Sequence, residues 1–133
     1  MEISLLQQKI FDIRGHTVML DFDLAELYET ETKRLKESVR RNKSRLPPDF
    51  MFELTKEELT SLRTQFATSN KRGGTRYLPF AFTEQGVAML SGVLNTEKAI
   101  QMNIAIMRAF VEIRRFALNY KDLAVQINEI RKT

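Results

Sequence analysis

A chain of 133 residues sets a prior of one domain, or one domain with an appended helix, and its 43% apolar content, with nine phenylalanines, suffices for a single core. The absence of cysteine excludes a disulfide scaffold and thiolate metal sites. The N-terminal MEISLLQQKIF does not read as a secretory leader, and no stretch approaches the ~20 apolar residues of a membrane span, so a soluble, cytoplasmic protein is expected.

In chain order, Lys9–Arg14 and His16–Leu20 read as two short strands around Gly15, a hairpin or bend. Asp21 and Asp23 are N-cap candidates for a short helix over Leu24–Tyr28. After a break at Glu29–Thr32, a second helix runs from Lys33 to Ser44. The run Leu46-Pro47-Pro48-Asp49 ends it, because a residue before proline is pushed out of helical geometry. Phe50–Leu54 reads as a strand, and Thr55 with Glu58 three residues on is a capping box for a helix over Lys56–Phe66. A polar, glycine-containing loop, Ala67–Thr75, precedes a strand over Tyr77–Phe82, where Pro79 points to an edge or a bulge. Thr83 or its neighbour caps a helix to about Leu94, and Thr96 caps a long final helix. These mixed elements, without regular βαβ alternation, predict an α+β domain.

The final helix carries Ala109, Ile113, Phe116, Tyr120, Leu123, Ile127 and Ile130 at alternating spacings of four and three, the pattern of a helix–helix seam. Self-association through it is one reading; packing of its first half on the domain, with the rest fraying, is the other. The pattern runs to Arg131-Lys132-Thr133 without a stop signal, so continuation in the native protein is expected.

The net charge of +4 is unevenly spread. Residues 1–32 carry seven acids against two bases, whereas residues 33–45 carry seven bases against Glu37 alone. Such concentration suggests a polyanionic partner, set against the plainer reading of a solvated surface. Leu24, Leu27 and Tyr28 give the first of the two short helices one apolar face, and small Ala25 lets a neighbour pass close. Leu35 and Val39 form the buried stripe of the second. At about 100° per residue, Lys33, Arg34, Glu37, Arg40, Arg41 and Ser44 then point outward.

Two short helices, a tight turn and a cationic outer face describe a helix-turn-helix. A helix fits the DNA major groove, arginine bonds a guanine edge through two parallel hydrogen bonds, and lysines and further arginines hold phosphates. Arg40 and Arg41 are the groove candidates; Lys33, Arg34, Lys36, Lys43 and Arg45 are the phosphate candidates. Glu37 reads first as a partner of Arg34, Arg40 or Arg41, and second as an acceptor from a cytosine amino group. Asn42 reads as a cap or turn residue.

A second basic segment, Ser69 to Arg76, combines Lys71, Arg72 and Arg76 with Gly73-Gly74, whose backbone can approach a phosphate closely. It reads as a wing beside the groove-bound helix, or as an ordinary surface loop. Enzyme readings are weak. His16 is the only histidine, which rules out a multi-histidine metal site. Helix capping and first-turn charge account for Asp21, Asp23 and Glu26 more simply than a magnesium site does. No catalysis, cofactor or metal is expected. RNA binding is disfavoured, since the aromatics read as core and form no stacking platform.

Several ordered blocks carry a family resemblance: Ile13-Arg14-Gly15, Val18-Met19-Leu20-Asp21, Asp23-Leu24-Ala25-Glu26-Leu27-Tyr28, Val39-Arg40-Arg41-Asn42, Pro48 to Leu54, Tyr77 to Leu90, Ala99-Ile100 and Ile106 to Phe110. Over residues 8 to 115 the chain resembles the phage-type "open reading frame six" N-terminal domain, grouped with the KilA-N and Bro-N DNA-binding domains. The resemblance implies a DNA-binding part of an antirepressor-like or regulatory protein, found in phages, prophages and bacterial chromosomes. Relatives often carry glycine or valine in the helix–helix turn, where this chain has Glu29-Thr30. Within Thr83-Glu84-Gln85-Gly86, Glu84 reads as structural, a carboxylate at a helix start favoured by the dipole.

The expectation is therefore an α+β domain with a winged helix-turn-helix-like core over residues 1–115 and a helical extension over 116–133. It is expected to bind double-stranded DNA and to form a homodimer if the last helix self-associates. The alternative is a protein-interaction module that binds a repressor or itself through that helix.

Overall fold

The computed structural model describes residues 3–65 and 77–132. Among the described residues, ten elements of regular structure and one 3-10 turn follow one another, and they form the expected α+β arrangement. A short helix α1 (Ile3–Gln7), absent from the sequence reading, packs along the final helix and buries Leu6. Strands β1 (Ile10–Ile13) and β2 (His16–Leu20) pair antiparallel, with Ile13 opposite His16. That register leaves a two-residue loop, and Arg14 and Gly15 both take positive φ, 56° and 76°. A loop of this kind matches the right-handed twist of the flanking strands.

Glycine adopts that conformation freely, but arginine does not. Other contacts hold Arg14 in place. Its guanidinium donates to both carboxylate oxygens of Glu58, at 2.7 and 2.9 Å, and to the Glu53 carbonyl at 3.2 Å. It also lies 4.4 Å from the centre of the Phe52 ring.

Strands β3 (Met51–Glu53) and β4 (Phe80–Thr83) complete a fully antiparallel sheet of order β1-β2-β4-β3. Strand β4 therefore has a neighbour on each side, which corrects the expectation that Pro79 marks an edge. Pro79 stands ahead of the first paired residue, where its missing N–H costs the ladder nothing, and its carbonyl accepts from Leu54 N–H at 3.0 Å.

The two faces of the sheet are both covered. Met19, Phe80 and Phe82 look into the larger core with Leu24, Leu35, Val39, Val87, Leu90, Ile106 and Phe110. Val18, Leu20 and Ala81 look the other way, into a smaller core with Ile13, Leu54 and Leu62. The larger core collects α2 (Asp21–Leu27), α3 (Thr32–Arg41), α5 (Glu84–Leu94) and α6 (Glu97–Lys132); the smaller is closed by α4 (Lys56–Gln65).

The helix starts follow local chemistry. Thr55 and Glu58 form the anticipated capping box: Glu58 N–H donates to Thr55 Oγ1 at 3.1 Å and Thr55 N–H to Glu58 Oε1 at 2.8 Å. Thr83 caps α5 by accepting from Gly86 N–H at 3.4 Å, and Thr96 accepts from Ala99 N–H at 3.2 Å at the start of α6. Between these helices Asn95 takes the left-handed conformation, φ 50°, that ends α5.

Gly86 serves a packing purpose. A Cβ built on it would lie 2.0 Å from the Phe50 carbonyl oxygen, so only glycine lets α5 start this close to the β3 entry.

Helix α6 has 36 residues, about 54 Å of rise. It is buried in the larger core at Ala99, Ile106, Ala109 and Phe110, and from Arg114 to Ile130 every residue is exposed. Among the described residues no helix is long and apolar enough to cross a membrane.

Candidate nucleic-acid interface

The site is built on α2, the turn after it, and α3. Leu24, Ala25, Leu27 and Tyr28 are buried on one side of the turn, and Leu35 and Val39 on the other, so the two helices share one apolar seam. Helix α2 begins at Asp21, three residues earlier than expected, and its N-cap is Leu20 with no side-chain cap. The N-cap expectation for Asp21 and Asp23 is thereby corrected: both are inside the first turn, and both are buried and ion-paired.

The turn is closed by backbone bonds, Tyr28 N–H to Leu24 O at 2.9 Å and Thr30 N–H to Ala25 O at 3.0 Å. Glu29 takes φ 57° there, a left-handed conformation that suits glycine better. Its carboxylate reaches Lys98 Nζ at 3.0 Å, at the start of α6. Below the turn, the Tyr28 hydroxyl donates to Asn103 Oδ1, and Asn103 Nδ2 donates to the Val87 carbonyl at 2.7 Å. This buried chain ties α2 to α5 and α6, and burial pushes the Tyr28 phenol upward.

Helix α3 ends earlier than the sequence suggests. Asn42 caps it, with Nδ2 donating to the Ser38 carbonyl at 2.9 Å, and a 3-10 turn over Lys43–Arg45 follows. Lys43, Ser44 and Arg45 therefore leave the helix axis and stand beyond its C-terminal end.

Lys33, Arg34, Glu37, Arg40, Arg41, Lys43 and Arg45 are all exposed. Arg40 and Arg41 lie in the last turn of α3, where positive charge complements the helix dipole. Among the described residues Glu37 forms no ion pair within 4 Å with Arg34, Arg40 or Arg41, contrary to its first reading. Pinning long, solvated side chains costs entropy that an exposed pair barely offsets.

Lys36 is the one member of the predicted phosphate set that faces inward. It is 8% exposed, donates to the Leu78 carbonyl at 2.9 Å, and sits 3.4 Å from Asp21 Oδ2. Its ammonium also lies 4.9 Å from the Phe80 ring centre. One step past Leu35 on a helix packed this closely, Lys36 falls on the buried edge, and its stem runs along apolar surface toward Asp21. The phosphate role assigned to Lys36 is therefore corrected to an internal one.

Asp21 is the hub of this arrangement. Its two oxygens accept from Phe22 N–H at 2.7 Å and Phe80 N–H at 2.9 Å. Burial pushes its carboxyl upward, and the Phe80 hydrogen bond and the Lys36 charge pull it back. The group links the starts of α2 and β4 to the middle of α3.

Beside α3 lies a cleft of about 460 Å³, walled by Phe22, Tyr77 and Pro79 and rimmed by Lys33, Glu37 and Arg40. Sequence reading missed it, because Phe22, Thr32 and Tyr77 come from three separate segments and share no spacing rule. Lys71, Arg72 and Arg76, the predicted wing, lie outside the described residues.

The residues considered for catalysis are otherwise occupied or scattered. Asp23 pairs with Lys9 at 3.5 Å, and Glu84, at the first position of α5, pairs with Arg114. His16 is exposed, its ring centre 6.2 Å from that of Phe52. Among the described residues no three metal-ligating side chains gather.

The fold and this surface define an α+β domain that presents a cationic helix over an apolar seam. The ORF6N domain profile matches residues 8–93, and the chain belongs to the ORF6N domain family. The matched region contains the sheet, α2 to α4 and most of α5; the blocks Ala99-Ile100 and Ile106 to Phe110 fall outside it. Neither the curated proteins nor the solved structures yield a match.

Proposed function

We propose that this chain is the double-stranded DNA-binding module of a phage- or prophage-derived regulatory protein of antirepressor type, acting in the cytoplasm and without catalysis. One observation carries the reading. Six cations, Lys33, Arg34, Arg40, Arg41, Lys43 and Arg45, are exposed on one short helix and the turn after it, over a fully buried Leu35–Val39 stripe. In this reading α2, its turn and α3 form a helix-turn-helix, and α3 enters the major groove. Its ten residues span about 15 Å, enough to lie along a groove about 12 Å wide.

Arg40 and Arg41 read base edges. Lys33, Arg34, Lys43 and Arg45 neutralise phosphates and release counterions, and Glu37 stands among them as a candidate acceptor from a cytosine amino group. Lys36 acts from inside: through Asp21 it sets the rotation of α3 and hence which cations face out.

The test is a salt titration of duplex binding. Replacing Arg40 and Arg41 together with alanine weakens binding and relaxes the preference for the bound sequence, whereas replacing Lys33 and Arg34 lowers the slope of log K against log salt by about 0.9 for each phosphate no longer neutralised. Unchanged affinity in the first variant together with an unchanged slope in the second would remove α3 from the interface. Selection from a random duplex pool then identifies the preferred sequence. A second reading, a protein-interaction module acting through α6, draws support from the exposed apolar side chains of that helix beyond Phe110.

A further inference from the structure

Helix α6 carries one apolar stripe with two fates. Ala99, Ile106 and Ala109 are buried against the rest of the domain, whereas Phe116, Tyr120, Leu123 and Ile127 continue the same spacing with 75%, 67%, 55% and 43% of their surface exposed. A spacing of alternating four and three keeps all of them on one side of the helix. The outer stretch is thus the extension of a core-facing stripe past the end of the core.

We propose that residues 116–130 pair antiparallel with the same segment of a second copy of this chain, with Leu123 on the two-fold axis. Phe116 then meets Ile130 of the second copy, and Tyr120 meets its Ile127. The orientation follows from sterics. The first half of the stripe is already covered by α5 and α1 of the same chain. A parallel partner would run on toward residues 97–113 on that same side, into space those helices fill. In an antiparallel pair the two compact parts lie at opposite ends of the paired segment, and the exposed stretch of each helix covers that of the other.

Size and flanks also fit a second copy. With ordinary side-chain areas, the exposed fractions of the five large residues correspond to roughly 600 Å² per copy, or about 1,200 Å² in total, the lower end for a specific pair. The positions flanking this seam are Ala117, Asn119, Ala124 and Gln126, which place no charge against charge and let the helices approach closely. The only other exposed apolar line here, Leu118 and Val125, recurs once per two turns, too sparse for a continuous seam.

The readout is oligomeric state, independent of any nucleic acid. The chain has no cysteine, so single-cysteine variants report contacts cleanly. Sedimentation between about 1 and about 100 µM is expected to show a monomer–dimer equilibrium, as an interface of this size implies. Leu123→Arg is expected to remain monomeric throughout; Leu123 lies well past Phe110, so the compact part stays folded. Under mild oxidation Leu123→Cys cross-links to itself, while Phe116→Cys cross-links only when mixed with Ile130→Cys. A monomer at about 100 µM overturns the proposal, as does self-cross-linking of Phe116→Cys as fast as that of Leu123→Cys.

Discussion

Gly86→Ala separates local preference from tertiary contact by the sign of its effect. Helix propensity alone favours the substitution by about 1 kcal/mol, since Gly86 lies in the first turn of α5. The structure opposes it: the added methyl would sit 2.0 Å from the Phe50 carbonyl oxygen and 2.9 Å from its carbon, against an ordinary contact of about 3.4 Å or more. Relief requires a shift of more than about 1 Å between α5 and the chain entering β3. That shift strains the bonds the same carbonyl accepts, from Thr83 N–H at 2.9 Å and Thr83 Oγ1 at 3.2 Å. Two weakened hydrogen bonds at about 1 kcal/mol each, with about 1–3 kcal/mol for overpacking, leave a net loss of about 2–4 kcal/mol after the propensity gain.

Gly92 is the internal control. It lies in the same helix with nothing within 4 Å of a built Cβ, so Gly92→Ala should stabilise by about 0.5–1 kcal/mol. Urea denaturation followed by circular dichroism reads both values. If Gly86→Ala is as stable as the parent, or if the two variants shift the same way, the close approach of α5 to Phe50 is wrong.

Two further outcomes test the buried and exposed charges. Lys36→Met strands the Asp21 carboxylate and should cost about 3–5 kcal/mol at pH 7, but far less in an Asp21→Asn background. Because Asp21 is already raised above 3.8, the variant's deficit should shrink as acid protonates the carboxyl and grow as pH rises through its folded value; equal cost in both backgrounds would refute the pairing. Glu58 is displaced the other way, held below 4.5 mainly by Arg14, so its contribution is complete above that value and lost as pH falls through its lower folded value. Glu58→Gln should therefore lose less stability than the parent across about pH 5 to 3 in acid titrations of the urea midpoint, and an unchanged acid limb would show that the Arg14 fork does not persist in solution.

Much of the fold was legible because its signals are local. The β1–β2 loop at Gly15, the helix caps at Thr55 and Thr83, and the Leu35–Val39 stripe of α3 each depend on residues within a turn or two of one another. The early end of α3 was less legible, since it turns on which partner the Asn42 side chain chooses. The outward direction of Lys33, Arg34, Arg40 and Arg41 follows from helical geometry once the buried stripe is known.

Other features depend on contacts between distant segments. Nothing near Lys36 in the chain indicates that its ammonium meets Asp21 and the Leu78 carbonyl, 15 and 42 residues away. Pro79 resembled an edge signal because strand order is invisible locally, and β4 lies inside the sheet only because β2 and β3 close on it from both sides. The cleft walled by Phe22 and Tyr77 exists only when the segments carrying those rings are brought together.

By itself, the sequence determined the kinds of the main elements from β1 onward, the threonine-capped starts of α4, α5 and α6 and the charge of α3, since backbone preference, capping and amphipathic spacing act over a few residues. Tertiary structure decided which cation would be internal, which glycine had no substitute, and where the stripe of α6 passes from core to solvent. Those outcomes depend on which surfaces meet and exclude water, and chain spacing does not encode the distance between residues tens of positions apart.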